Sequence, residues 1–222
     1  MLLYNLKGVH YVSSKATTRI NDSGLFTIYD YFSQSFKQAI WINTFDSHII
    51  HIVRSVASPL TTTIAIAITS IGNPYSMLGL TVVATLTLLF IRQNNAALFL
   101  LVNMAVFSSL NHIIKGWVAR PRPSAHHLVV ASGFSFPSGH SSGALLFFGS
   151  LSIIAIYLIK SHYWRHLVIG LCLILTLLIG ISRIYVQVHY PTDVLAGFML
   201  ALTGLGLSWY YFDSCHLLQQ KS

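Results

Sequence analysis

Residues 55–91 read SVASPLTTTIAIAITSIGNPYSMLGLTVVATLTLLFI, a run of 37 residues that contains no Asp, Glu, Lys or Arg. A helix that crosses a bilayer needs about 20 apolar residues, and about 17 is the lower limit. The run is therefore too long for one span and long enough for two. Gly72-Asn73-Pro74-Tyr75, near its midpoint, is typical of a turn. The stretch predicts a helical hairpin in a membrane.

The rest of the chain repeats this pattern. Four more uncharged stretches follow, at Gln93–Ile114, Ser141–Ile159, Leu167–Ser182 and Val194–Phe212. Apolar residues make up 54% of the 222 residues and charged residues 8%, whereas a soluble domain carries about 25% charged residues. This excludes a disordered protein, a coiled coil and an ordinary water-soluble enzyme. We predict an all-α integral membrane protein with about six transmembrane helices, or five if residues 55–72 do not span.

Lysine and arginine residues in the loops predict the orientation. With six spans, residues 1–54, Arg92, the 160–165 loop and the C-terminus share one side, which holds nine of these cations. The other side holds four, which are Lys115, Arg120, Arg122 and Arg183. The nine-cation side is then cytoplasmic. If residues 55–72 do not span, residues 1–54 lie on the other side of the membrane. The count is then four cations inside and nine outside, against the rule that Lys and Arg are more frequent in cytoplasmic loops.

The net charge of +8 comes from 13 Lys and Arg against 5 Asp, with no Glu. The cations are scattered singly, which speaks against nucleic-acid binding and for contact with anionic headgroups or an anionic substrate. Cys172 lies in an apolar run and Cys215 near the C-terminus, a setting that does not indicate a disulfide. We infer no obligate protein partner; the expected partners are membrane lipids.

Three clusters on the four-cation side hold the residues most suited to chemistry. They are Lys115-Gly-Trp-Val-Ala-Arg120-Pro-Arg122-Pro123, Phe136-Pro137-Ser138-Gly139-His140 and Ser182-Arg183-Ile-Tyr-Val-Gln-Val-His189-Tyr-Pro-Thr-Asp193. Each lies at a predicted helix end, so the clusters converge at one membrane level. A single cation there is typical of a side chain that reaches the headgroups. The joint set suits an oxyanion, because Arg offers bidentate donors and Lys a point charge to phosphate oxygens.

The second and third clusters add groups that suit phosphate chemistry. Ser138 is a natural N-cap residue, and Gly139 lets the backbone approach a ligand at a helix N-terminus, where free amides and the positive dipole end favour an anion. Asp193 lies about one helical turn after His189. Its carboxylate can fix one ring nitrogen and leave the other as nucleophile or base, although it also suits the helix N-terminus.

A metal site is the competing interpretation, with His140, His189 and Asp193 as ligands. Three nearby cations would repel a divalent ion, and a cation-rich site stabilises phosphate without one. We therefore predict no metal and no cofactor.

At these residues the sequence resembles the type 2 phosphatidic acid phosphatase (PAP2) superfamily, whose signature is K-x6-R-P, P-S-G-H and S-R-x5-H-x3-D. Every defining position matches at the right spacing. The matching residues are Lys115, Arg122, Pro123, Pro137, Ser138, Gly139, His140, Ser182, Arg183, His189 and Asp193. The resemblance covers roughly residues 93–212 and implies the helical core that this superfamily shares with the vanadium haloperoxidases.

The resemblance implies a metal-independent lipid phosphatase. His189 is expected to attack phosphorus and form a phosphohistidine, Asp193 to orient it, and His140 to protonate the leaving oxygen. The expected phosphate ligands are Lys115, Arg122, Ser138, Gly139 and Arg183. The implied substrates are undecaprenyl diphosphate, phosphatidylglycerol phosphate or phosphatidate, at the extracytoplasmic face of a plasma membrane. The compact size resembles the bacterial forms.

Two alternatives stay open. The same histidine can pass its phosphoryl group to a lipid or sugar acceptor, as in a phosphotransferase. A catalytically silent lipid-binding protein is expected to lack a catalytic residue, and none is lacking. The chain divides into a cytoplasmic or interfacial segment (1–54), a helical hairpin (55–91), a PAP2-like catalytic core (92–213) and a tail (214–222). Such proteins usually begin with a hydrophobic helix, and residues 1–40 contain none.

Overall fold

The computed structural model describes residues 40–218, and within that range the fold is helical with no strand. The predictions for residues 1–39 and 219–222 lie outside the described residues. The helices are α1 Ile40–Arg54, α2 Pro59–Ile71, α3 Pro74–Phe90, α4 Asn94–Val118, α5 Gly139–Leu158, α6 His162–Tyr185 and α7 Pro191–Ser214. Helix α4 contains a π-helical segment, Asn103–Phe107, between the α-helical parts Asn94–Val102 and Ser108–Val118. The all-α prediction is confirmed.

Four of the described helices, α4 to α7, are long and apolar enough to cross a membrane. Helix α3 is apolar but has 17 residues. Helix α2 has only 13 residues, about 20 Å of helix against a hydrocarbon core of about 30 Å. It begins at the Ser58 cap and Pro59, and it is bent by 117° from α1. Counting the bent pair as one gives five candidates, so the count of six is not confirmed.

The α1–α2 pair lies at the same end of the bundle as the loops that carry the three clusters. The Arg54 guanidinium donates to the carbonyl of Tyr185, at the end of α6 (3.3 Å). The Tyr185 hydroxyl lies 2.9 Å from the hydroxyls of Thr61 and Thr62. The six-span scheme puts residues 1–54 at the opposite end. The difference arises because the chain turns back at Pro59 instead of continuing across.

Helix α5 is the most buried of the spans, with 67% of its most apolar window inside the protein, and it packs between α6 and α7. Its first turn meets α7 closely at Gly197, where a Cβ atom would lie 2.6 Å from the Ser138 carbonyl oxygen. Only glycine permits that approach. The contact brings the start of α5 beside the start of α7, which places the second and third clusters together.

Candidate active site

A cavity of about 700 Å³ lies at this end of the bundle. Its polar wall contains residues from all three clusters, which are Lys115, Arg122, Gly139, His140, Arg183 and His189. Its other wall comes from α3 and α4 and includes Met77, Leu78, Leu101 and Met104. The cavity therefore joins a cationic region to an apolar one. Six of the eight predicted site residues line it.

His189 lies in the short connection before α7 and is 2% exposed. Its Nδ1 is 3.5 Å from Asp193 Oδ2, and its Nε2 is 3.3 Å from the Arg122 guanidinium. Burial, with the nearby charges of Arg183 and Arg122, lowers the pKa of His189 to about 4, although Asp193 acts in the opposite direction. The imidazole is therefore neutral at pH 7, with one nitrogen towards a carboxylate and the other towards a cation.

Asp193 does not line the cavity but lies behind His189, fully buried. Its Oδ2 accepts hydrogen bonds from the Tyr190 amide (2.9 Å) and from the Ser135 hydroxyl. Its Oδ1 accepts from Arg120 at 2.7 Å. The carboxylate thus caps the N-terminus of α7 and faces the imidazole at the same time, the two roles that the sequence leaves open.

The cations are oriented by the backbone of the loops. Lys115 donates to the carbonyls of Phe134 (3.0 Å) and Pro137 (2.8 Å). Arg122 donates to three carbonyls, those of Ser132, Gly133 and Val188. Carbonyl oxygens hold these side chains without neutralising them, so the positive charge remains available to an anion. Burial lowers the pKa of Arg122.

Arg183 is 4% exposed, and its partner comes from outside the three clusters. Its guanidinium donates to the Thr69 hydroxyl of α2 at 2.6 Å. Its Nε is buried and has no hydrogen-bond partner. A buried donor without a partner is costly, and an anion in the adjoining cavity would satisfy it.

The P-S-G-H segment divides between the cavity and the helix cap. Gly139 and His140 line the cavity. Ser138 is fully buried and is the N-cap of α5, where its oxygen accepts from the Ser141 hydroxyl (2.8 Å) and amide (3.4 Å). The structure therefore does not bring the Ser138 hydroxyl to the cavity, because helix capping occupies it.

The predicted set omits four polar residues around Asp193: Asp46 in α1, Arg120 before the R-P motif, Ser135, which also lies 3.4 Å from His189 Nδ1, and Thr192 in α7. Arg120 bonds to Asp46 (2.8 Å) as well as to Asp193, and Thr192 bonds to both Arg120 and Asp46. The sequence gives little indication that Asp46 belongs to the site, because its helix mixes apolar, aromatic and charged residues. Among residues 40–218 no three His, Cys, Asp or Glu side chains are placed to hold a metal ion.

The comparisons with known proteins agree with this geometry. A family model described as the PAP2 superfamily matches residues 96–216, more than half of the chain. The chain belongs to the PAP2 superfamily. It is therefore a multi-pass membrane phosphatase, a phosphoric ester hydrolase of the lipid phosphatase family.

Curated relatives and a solved structure support this assignment. Phosphatidylglycerophosphatase B of Bacillus subtilis (strain 168) is 34% identical over 151 residues, which cover 66% of this chain and 73% of that protein. Undecaprenyl-diphosphatase BcrC of the same organism is 33% identical over 109 residues, covering 47% of this chain and 51% of that protein. The crystal structure of a transmembrane PAP2-type phosphatidylglycerolphosphate phosphatase from Bacillus subtilis has a TM-score of 0.72 at 28% identity, covering 84% of this chain and 92% of that one.

Proposed function

We propose that this PAP2 chain hydrolyses lipid phosphates or diphosphates through a phosphohistidine on His189, without a metal ion. The observation that carries the proposal is the setting of His189. A buried, neutral imidazole has Nδ1 towards Asp193 and Nε2 towards Arg122, at the polar wall of a cavity with an apolar second wall. A neutral imidazole with a free lone pair is what nucleophilic attack requires.

The proposed first step forms a bond between His189 Nε2 and phosphorus and breaks the bond from phosphorus to the leaving oxygen. The ring acquires a positive charge, which the Asp193 carboxylate at Nδ1 stabilises. His140, at the first turn of α5, gives its proton to the leaving oxygen. Lys115, Arg122 and Arg183 with the Gly139 amide stabilise the equatorial oxygens.

The proposed second step returns the enzyme to its starting state. Water attacks phosphorus, His140 takes the water proton, and the bond from phosphorus to Nε2 breaks. Inorganic phosphate leaves with the oxygen that came from water. Each residue in the scheme lines the cavity or directly contacts one that does.

The apolar wall formed by α3 and α4 supports a lipid as the substrate. Phosphatidylglycerol phosphate is the first lipid to test, since phosphatidylglycerophosphatase B is among the relatives at 34% identity. Undecaprenyl diphosphate follows, since an undecaprenyl-diphosphatase is also among them. Phosphatidate is the simplest lipid monophosphate for comparison.

We also propose that the active-site end faces the extracytoplasmic side of a bacterial plasma membrane, as the resemblance to PAP2 lipid phosphatases implies. The described cations at this end are Arg54, Lys115, Arg120, Arg122 and Arg183, and at the other end Arg92, Lys160 and Arg165. Most of the first group contact the site itself. The number of Lys and Arg residues at this end is therefore explained by phosphate binding, and it does not argue against an active site that faces outward.

The experiment is phosphate release by the full chain in detergent with EDTA present, on phosphatidylglycerol phosphate, undecaprenyl diphosphate and phosphatidate. His189→Ala tests the nucleophile. His166→Ala is the matched control, because that histidine is exposed and lies at the opposite end of the bundle. Release by the wild type and by His166→Ala, with none by His189→Ala, supports the proposal. Release that persists in His189→Ala, or that requires a divalent ion, overturns it.

A further inference from the structure

A buried chain of charges connects α1 to the catalytic carboxylate. The Arg120 guanidinium lies between two aspartates, with NH1 2.7 Å from Asp193 Oδ1 and NH2 2.8 Å from Asp46 Oδ2. The exposed fractions of Asp46, Arg120 and Asp193 are 2%, 8% and 0%. Charges this well buried are retained only where their partners are well placed.

Thr192 fixes the position of the Asp46 carboxylate. Its amide donates to Asp46 Oδ1 (2.9 Å), and its hydroxyl donates to Asp46 Oδ2 (2.8 Å) while accepting from Arg120 (2.8 Å). Thr192 adjoins Asp193 in the first turn of α7. Asp46 is thus attached to the turn that carries the catalytic carboxylate, although its helix lies outside the residues that the family model matches.

Asp46 limits how Arg120 can bind Asp193. A guanidinium prefers to bind one carboxylate through two parallel hydrogen bonds. Asp46 binds NH2, and the bond that joins Arg120 to Asp193 runs from NH1 to Oδ1. The second oxygen, Oδ2, accepts from the Tyr190 amide and the Ser135 hydroxyl and lies 3.5 Å from His189 Nδ1. Without Asp46, NH2 loses this carboxylate, and the guanidinium is less firmly fixed where it contacts Asp193.

The summed charge of Asp46, Arg120 and Asp193 also indicates that Asp46 contributes to catalysis. Two aspartates and one arginine carry a net charge of −1 beside the imidazole. That charge favours the positive ring that forms when His189 attacks phosphorus. Replacing Asp46 with a neutral residue brings the set to zero, and the phosphorylated ring loses part of its stabilisation.

We propose that Asp46 is a positioning residue for catalysis, acting through Arg120 to keep Asp193 directed at His189. This inference rests on the proposed role of His189 as nucleophile. It makes α1 a functional part of the active site rather than a membrane anchor alone.

The test compares Asp46→Asn with the wild type on phosphatidylglycerol phosphate in detergent micelles, using the full chain. Asparagine keeps the size of the side chain and an oxygen for the Thr192 amide, but it removes the charge. We expect kcat per folded molecule to fall about tenfold, a coupling typical of residues in one network, with KM largely unchanged. The matched controls are Ser47→Ala, an exposed neighbour in α1, and Asp213→Asn, a carboxylate bound to Tyr157 at the other end. Both controls should keep the wild-type kcat.

A double-mutant cycle separates positioning from general support of the fold. In the Asp193→Asn background, the effect of Asp46→Asn on kcat should disappear, because the group it acts on is gone. If Asp46→Asn folds poorly, Thr192→Val takes its place as the test variant. It leaves every charge in place and should also lower kcat. An equal loss in both backgrounds, a change confined to KM, or a loss fully explained by less folded protein overturns the inference. In each of these three outcomes the proposed function still stands if phosphate release by the wild type depends on His189.

Discussion

Arg183 and Thr69 are joined by a hydrogen bond of 2.6 Å across 114 positions of sequence. Arg183 ends α6 and belongs to the PAP2 signature, whereas Thr69 lies near the end of α2, outside the matched residues. The second donor of the same side chain, Nε, is buried and has no partner. One donor therefore fixes the guanidinium while another remains for an anion, so α2 helps to shape the proposed phosphate site.

Replacing Thr69 with valine should weaken phosphate binding. Valine keeps the shape of threonine but removes the acceptor for Arg183, so the guanidinium loses its fixed orientation. We expect kcat/KM for phosphatidylglycerol phosphate to fall about tenfold, the cost of about 1.4 kcal/mol for a lost hydrogen bond to a charged group.

Thr69→Ser is the matched variant, because it keeps the hydroxyl and should keep most of the activity. Inhibition by inorganic phosphate measures the same contact without turnover, and it should weaken only in Thr69→Val. Equal inhibition constants for the two variants would show that Thr69 does not orient Arg183.

Replacing His140 with alanine should slow the reaction, and the rate should fall most for the substrate with the poorest leaving group. General acid catalysis typically contributes between 10²- and 10⁴-fold. Phosphatidate leaves an alkoxide, which needs a proton, whereas diacylglycerol diphosphate leaves a phosphate ester, which needs far less help. The two lipids share the same tails.

We therefore expect His140→Ala to lose about 10³-fold in kcat/KM on phosphatidate and much less on diacylglycerol diphosphate, because kcat/KM reports the first step. Steady-state phosphate release on both lipids measures the ratio, with His112→Ala as a control histidine beside the cavity. The same loss on both substrates would remove His140 from the role of acid in the first step.

The buried His189 should make stability depend on pH in a definite direction. Its folded pKa is lowered to about 4, whereas the ordinary value is 6.5. The folded state disfavours the protonated ring, so this contribution is fully present above pH 6.5 and is lost as the pH falls towards 4. The shift corresponds to about 3 kcal/mol.

Thermal unfolding in detergent from pH 7 to pH 4 measures this effect. The wild type should lose stability more steeply than His189→Gln, which carries no titrating group there. His166→Gln, altered at an exposed site, should follow the wild type. Parallel curves for the wild type and His189→Gln would mean that the imidazole titrates normally.

The proposed orientation can be measured with native and introduced cysteines. Cys215 is exposed at the end of α7 remote from the active site, and Val130 is fully exposed in the loop beside the cavity. A membrane-impermeant maleimide applied to intact cells should label Val130→Cys in a Cys215→Ser background and should leave Cys215 of the wild type unlabelled. The reverse pattern would place the active site in the cytoplasm.

Sequence patterns predict much of the helical core because each determinant is local. The uncharged stretches correspond to α3 through α7, and Pro191 marks the start of α7. The pairing of His189 with Asp193 also follows from local spacing, because Asp193 is in the first turn of α7 and His189 lies in the short connection just before it.

What the sequence did not predict depends on contacts between distant residues. The sequence leaves open whether residues 55–72 span, and the structure shows that the break at Ser58 and Pro59 leaves α2 short and turns it back towards the active site. The partners of Arg120 and Arg183 are Asp46 and Thr69, which no spacing rule connects to them. The N-cap role of Ser138 is predicted and confirmed, but only the packed structure shows that Ser138 does not line the cavity.

The central claim is that His189 carries the phosphoryl group, and trapping the intermediate tests it most directly. The His140→Ala variant should still react with diacylglycerol diphosphate but hydrolyse the intermediate slowly, because the base for the second step is missing. An alkaline quench preserves a phosphorus–nitrogen bond, and peptide mass spectrometry then locates the phosphate. We predict a phosphorylated peptide that contains His189, lost in His140→Ala/His189→Ala. Phosphate on any other residue, or turnover without a phosphorylated protein, would contradict the mechanism.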